Sequence, residues 1–170
     1  MSASPAATER YDTSRHDTSE FQSANESLDR WLVRYAEQSE RRDAARTFVI
    51  ARADVVIGYD ALLAGELEHG NATEQTRKGM SRHYPIPVAI IARLAVDQRH
   101  QKRGLGATLL WDALRRVTLA SEQLAVRAVV VHAIDQRAAQ FYEHFGFRAL
   151  GASPRTLMVT LDELRTAGYP

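Results

Sequence analysis

The sequence predicts a mixed α/β (α+β) fold in which helices flank a central sheet. Three observations carry that prediction. At 170 residues the chain is long enough for one domain with a real core. Two runs, Val88–Val96 and Ala125–Ala133, are too continuously apolar for surface strands and read as buried ones. Helix-periodic segments alternate with them, giving the order helix, hairpin, strand, helix, strand, helix, strand.

Residues 1–20 are polar and read as a frayed or extended lead-in, which leaves 21–165 as the folded domain. Leu28, Trp31, Leu32, Tyr35 and Ala36 then recur at the spacing of one helix face, and Asn25 stands where an N-cap belongs. That helix is expected to run out near the charged cluster Ser39–Asp43. Thr47–Ala53 and Val55–Leu63 are β-branched and apolar, with room between them only for a tight turn. Gly65–Tyr84 is polar, contains three glycines and reads as a long loop of the length that functional loops have. After the strand Val88–Val96, Leu105–Ala120 places Leu109, Leu110, Ala113, Leu114 and Val117 on one helical face. Asp135 is suited to cap a short helix reaching Phe145, and Gly146 to stop it. Thr156–Leu161 reads as the last strand, with a terminal turn over Asp162–Thr166.

Composition narrows the function classes. With no cysteine, disulfides, thiolate metal sites and a cysteine nucleophile are excluded. The six histidines lack metal-ligand spacing, and no metal is expected. No apolar run approaches the roughly 20 residues that span a bilayer, and Met1–Glu20 has no apolar signal core. A cytoplasmic protein with no membrane association is the expectation. A net charge of +1 gives no case for nucleic acid from the molecule as a whole. Of the 22 basic residues, however, only Lys78 and Lys102 are lysines. Arginine's planar fork suits phosphate, although a GC-rich genome produces the same bias.

The most informative stretch is Arg93–Gly106, where a buried strand ends, a basic loop follows and a helix begins. Backbone N–H groups at a helix start, with the helix dipole behind them, make an anion site. Gly104 and Gly106 let the backbone approach a phosphate, and Arg99, Lys102 and Arg103 add positive charge. A pyrophosphate fits such a loop. The P-loop pattern is absent, and Leu109 stands where a dinucleotide-binding turn needs its third glycine. Nucleoside triphosphates and NAD are therefore poor guests.

Gln101-Lys102-Arg103-Gly104-Leu105-Gly106 resembles the Q/R-x-x-G-x-G/A signature of the GNAT acetyltransferases. Phe141-Tyr142-Glu143-His144-Phe145-Gly146-Phe147 is similar to the family's second signature, a helix with F-Y that ends in G-F. The resemblance implies a single GNAT domain with a mixed central sheet. Its parallel strands Val88–Val96 and Ala125–Ala133 splay apart to admit acetyl-CoA as cosubstrate. It places the pantetheine arm along Leu94, Ala95 and Val96, and the pyrophosphate on Gln101, Lys102, Arg103, Gly104, Leu105, Gly106 and Ala107. Phe141 and Asp135 complete the cofactor-binding set, although many members carry Asn at the latter position. An ionised Asp only accepts hydrogen bonds, so N-capping suits it better. Tyr142 stands where the family places a general acid for the departing thiolate. The alternative is that it is a packed core aromatic like its neighbours.

Acetyl transfer requires a neutral amine, and many members supply a Glu on the central strand to make one. No carboxylate lies between Val88 and Val96, Asp97 sits at the strand exit, and a base would come from elsewhere, with Glu66, Glu68 and His132 as candidates. At pH 7.4 a lysine amine is only about 0.1% neutral, against roughly a fifth to a third for an α-amine. This tilts the acceptor toward an α-amine.

Phe21, Leu28–Leu32, Arg46–Val49, Val56–Tyr59, Ile86–Val88 and Arg93–Asp97 resemble one GNAT subgroup, the tRNA-acetylating toxins of type II toxin–antitoxin modules. That resemblance implies aminoacyl-tRNA as substrate, a block of translation, and a homodimer. It also implies a cognate ribbon-helix-helix antitoxin, with operator DNA bound only through it. Candidate tRNA contacts are Arg41, Arg42, Arg46, Arg77, Lys78, Arg82 and Arg93. Two alternatives stay open. One is a GNAT enzyme acting on a protein amine or small-molecule amine, and the other is a non-catalytic acetyl-CoA sensor.

Overall fold

The computed structural model describes residues 7–151 and 153–168. Seven strands form one mixed sheet in the order β1-β2-β3-β4-β5-β7-β6. They are β1 (Glu9–Arg10), β2 (Arg46–Arg52), β3 (Val55–Leu67), β4 (Ile86–Val96), β5 (Ala128–His132), β6 (Arg148–Leu150) and β7 (Ser153–Thr160). Among the described residues six α-helices accompany them: α1 (Glu26–Arg34), α2 (Ala36–Arg41), α3 (Glu74–Arg77), α4 (Leu105–Ala120), α5 (Gln136–His144) and α6 (Leu161–Thr166). The mixed α+β class is the one the sequence predicts. No helix among the described residues is long and apolar enough to cross a membrane.

The chain divides into two compact units. One takes Met1–Leu63 and Ala92–Ala113, the other Ala64–Ile91 and Leu114–Pro170. In the first unit, α1 begins at Asn25, whose side chain accepts from the Leu28 amide. Leu28, Trp31 and Leu32 are buried with Phe21, Val49, Tyr59 and Ala95 in a cluster that joins α1 to the sheet. The helix then breaks at Tyr35, where φ is −119°. Periodicity placed Tyr35 on the buried face, but it is 48% exposed, while Ala36 is fully buried. β2 and β3 join through Ala53 and Asp54, both at positive φ, which is the two-residue hairpin geometry that follows strand twist. Glu9–Arg10 pair with Phe48 and Val49, so part of the lead-in is an edge strand of the sheet. Residues 1–6 of that lead-in lie outside the described residues.

In the second unit, β4 and β5 run parallel from Val88 opposite Ala128 to Ile91 opposite Val131. The paired register ends there, whereas β4 continues to Val96. β5 starts at Ala128 rather than Ala125, and pairs antiparallel with β7 along its whole length. The expected long loop after Gly65 is more ordered than its composition indicates. β3 runs through Gly65 to Leu67, and α3 follows with Thr73 as its cap. Gly65 lies inside that strand, and a Cβ there would sit 2.5 Å from the tip of the Ile90 side chain, which would have to shift. Arg127 fastens this segment, its guanidinium donating to the Thr76 and Lys78 carbonyls at 3.0 and 3.2 Å.

Candidate active site

The first unit builds an anion cradle from the end of β4 and the start of α4. Leu94 and Val96 pack with Ile50, Ile57, Leu105 and Leu109, so apolar contact fixes the first turn of α4 against the strand end. Between them Asp97 is fully buried and caps a short 3-10 turn. Its Oδ1 accepts from the Arg99 amide and Nε, both at 2.9 Å, and its Oδ2 accepts from the Gln22 amide at 3.1 Å. The Arg99 guanidinium and these hydrogen bonds hold the Asp97 carboxyl down at about 2. Such a carboxylate is a structural anchor, and too weak a base to take a proton from an amine. Gln101 donates through Nε2 to the Val96 and Ser23 carbonyls at 3.0 and 3.1 Å, which braces the loop from inside.

Beyond these anchors the loop is exposed. Lys102 and Gly104 sit at φ 62° and 78°, the left-handed conformation that turns successive amides toward one side. The first-turn amides of α4 have no acceptor within the helix. A Cβ at Gly104 would meet nothing within 4 Å, so the space over the loop is open. Among the described residues Lys102 and Arg103 make no hydrogen bond or ion pair. Unspent amides, a 16-residue helix dipole and two unpaired cations suit a pyrophosphate. Arg99, expected to add charge, is instead committed to Asp97.

Asp97 also yields a stability prediction. Its folded pKa lies below its unfolded value, so it stabilises the fold above about pH 4 and that contribution is lost as pH falls toward 2. Asp97→Asn would set an amide donor against the donors of Arg99 and Gln22. Urea denaturation is expected to show a loss of about 2 kcal/mol at pH 7 and a flattened acid limb. An unchanged acid limb would contradict the anchor role.

The second unit carries the candidate acid. Asp135 caps α5 by accepting from the Ala138 amide at 2.8 Å. The helix ends where the Phe147 amide returns to the Tyr142 carbonyl, with Gly146 at φ 93°. This fixes Tyr142, 7% exposed, edge-on to Phe147 and Phe141 at centroid distances of 5.6 and 5.2 Å. His132 ends β5 with its ring Nδ1 at 3.1 Å from Thr156 Oγ1, and Glu66 and Glu68 are exposed.

The basic candidates separate into three groups. In the first unit Arg41 pairs with Glu37, Arg46 pairs with Glu40 and Asp43, and Arg42 is exposed. Arg93 lies over the Trp31 ring. In the second unit Arg77, Lys78 and Arg82 line one cavity of about 820 Å³ together with Arg148. Arg148, on the three-residue β6, is also paired with Glu163.

The acetyltransferase (GNAT) domain family matches residues 43–149. A tRNA-acetylating toxin of Mycobacterium tuberculosis (strain ATCC 25618 / H37Rv) is 37% identical over 149 residues, 88% of this chain and 89% of the relative. Among solved structures, AtaT complexed with acetyl-methionyl-tRNAfMet superposes with a TM-score of 0.86 at 24% identity, covering 95% of this chain and 98% of that one. A Tyr-to-Phe mutant of the AtaT toxin bound to acetyl-CoA and the C-terminus of the antitoxin AtaR gives 0.81 at 23% identity, over 95% and 96%.

Proposed function

The chain belongs to the GNAT acetyltransferase family, and from that premise we propose that it acetylates the α-amine of aminoacyl-tRNA as the toxin of a toxin–antitoxin pair. The observation that carries the reading is the 37% identity, over 88% of the chain, to a tRNA-acetylating toxin. The catalytic domain is taken as residues 21–165.

Acetyl-CoA, the donor of this family, supplies an activated acetyl thioester. The amides of Leu105, Gly106 and Ala107, with Lys102 and Arg103, take its pyrophosphate. The β4 backbone at Leu94 and Val96, beyond the last residue paired with β5, offers its amides to the pantetheine arm. Tyr142 holds a proton at Oη for the thiolate that leaves, since a phenol and a thiol of similar acidity exchange a proton at little cost. No residue of β4 removes a proton from the amine, and the buried Asp97 is spent on Arg99. An α-amine meets this chemistry because a substantial fraction of it is already neutral at physiological pH.

Arg77, Lys78 and Arg82 form a concave basic surface suited to the phosphates of the tRNA arm, with Arg148 beside them engaged by Glu163. The antitoxin is proposed to be a ribbon-helix-helix protein whose tail covers the toxin, as the AtaR C-terminus is bound to AtaT. The toxin is further proposed to act in the cytoplasm as a homodimer, and to reach operator DNA only through the antitoxin. In a cell-free translation extract, the protein should stop peptide synthesis when acetyl-CoA is added and not when it is withheld. Unimpaired synthesis under both conditions would sink the toxin reading and leave an acetyltransferase for another amine.

A further inference from the structure

The two faces of the end of β4 are used differently. Leu94 and Val96 turn toward Leu105 and Leu109 of α4, the helix whose start makes the phosphate cradle. Ala95 turns the other way, into the cluster with Trp31 and Leu32 of α1. Arg93 shares that second face. Its guanidinium carbon lies 4.5 Å from the centroid of the Trp31 ring.

The seat under it is rigid. Trp31 stacks on Tyr59 at 5.9 Å with 9° between the planes, and Phe21 meets Tyr59 edge-on at 5.6 Å. The Tyr59 hydroxyl donates to the Leu28 carbonyl at 2.6 Å, and burial pushes its phenol well above the usual range. A guanidinium held over such a column by its positive charge keeps the N–H groups at its rim for other partners. Among the described residues Arg93 makes no hydrogen bond or ion pair, although it is half-buried. Arg99, also beside the strand end, is engaged by Asp97 at 2.9 Å. A fixed, partly desolvated fork with its donors unspent is a site for a two-oxygen acceptor.

We propose that Arg93 is a positioning residue for the acceptor, its fork binding the phosphodiester of the terminal nucleotide that carries the aminoacyl group. The assignment rests on the function proposed above. The donor's phosphates occupy the α4 face, and on the opposite face the half-buried Arg93, at the rim of the α1 cluster, is the group open to the acceptor. A guanidinium repels the ammonium form of the amine, and it pairs with phosphate through two parallel N–H···O bonds. The terminal phosphodiester is the anion nearest the aminoacyl ester that carries the reacting amine. Its capture sets the amine beside the strand end.

The test compares two acceptors, charged tRNA and aminoacyl-adenosine without a 5′-phosphate, in wild type, Arg93→Gln and Arg93→Lys. For Arg93→Gln the KM for charged tRNA should rise about tenfold with kcat little changed. The KM for aminoacyl-adenosine should stay within twofold. The slope of log binding constant against log salt for charged tRNA should fall by about one. Arg93→Lys should keep the salt slope but raise the KM for charged tRNA a few-fold, because the charge remains and the fork is lost. An unchanged KM for acetyl-CoA checks that each variant is folded, and Arg93→Lys carries the test if Arg93→Gln is not. Equal losses on both acceptors, or no loss on either, would overturn the phosphodiester assignment. A wild type that acetylates other amines but not charged tRNA removes the underlying function, and the assignment with it.

Discussion

Tyr142→Phe is expected to lower kcat for acetyl transfer by about 10²–10³-fold while leaving KM for acetyl-CoA nearly unchanged. The ring is held by edge-on contacts with Phe141 and Phe147 and by the closed end of α5, none of which involves the hydroxyl. Phe keeps that ring packing. What it loses is a proton donor for the thiolate in the transition state, which appears in kcat rather than in binding. Steady-state kinetics with a saturating acceptor, alongside a thermal melt, separates the two roles. A kcat within threefold of wild type would leave Tyr142 as a packed aromatic, and another group would have to protonate the sulfur.

Gly104→Val is expected to raise KM for acetyl-CoA at least tenfold with a smaller effect on kcat at saturation. At φ 78° a β-branched residue is strained by roughly 1–3 kcal/mol. A Cβ there would touch nothing within 4 Å, so the strain is purely one of backbone conformation. Relieving it swings the peptide groups that precede α4, and the amides of Leu105, Gly106 and Ala107 lose their common aim. Gly79 offers an internal control, with φ 77° and an equally open surround in a different loop. Gly79→Val carries the same local strain and should leave KM for acetyl-CoA unchanged. If both substitutions raised it equally, global destabilisation rather than the phosphate cradle would be the cause.

Where local rules act alone, the sequence foretold the structure closely. Leu105–Ala120 is helical over the predicted span, and Asn25 and Asp135 cap the helices they were expected to cap. Gly146 takes the left-handed conformation at the end of α5. The misses share a cause in long-range packing. Gly65 punctuates the sequence like a loop residue, yet it continues β3, packed close beside Ile90. β1 and β6 are two and three residues long and exist through their partners β2 and β7, so neither displays a periodicity of its own. The break at Tyr35 carries no Gly or Pro to announce it.

The candidate site divides in the same way. The cradle was legible because glycine, basic residues and the helix start are contiguous. The burial of Asp97 was not, because its partner amide belongs to Gln22, far away in the chain. Through that contact and the Arg99 guanidinium, the carboxylate at the strand exit is a structural anchor. The column beneath Arg93 was hidden likewise, since it gathers side chains from α1, β3 and the segment before α1.

The most direct test incubates the purified protein with [14C]acetyl-CoA and total aminoacylated tRNA, then counts label in acid-precipitable RNA. Label that appears with charged tRNA and vanishes when the tRNA is first deacylated is the predicted result. Precipitable counts no higher with charged than with deacylated tRNA, while CoA is still released in the presence of other amines, would contradict it.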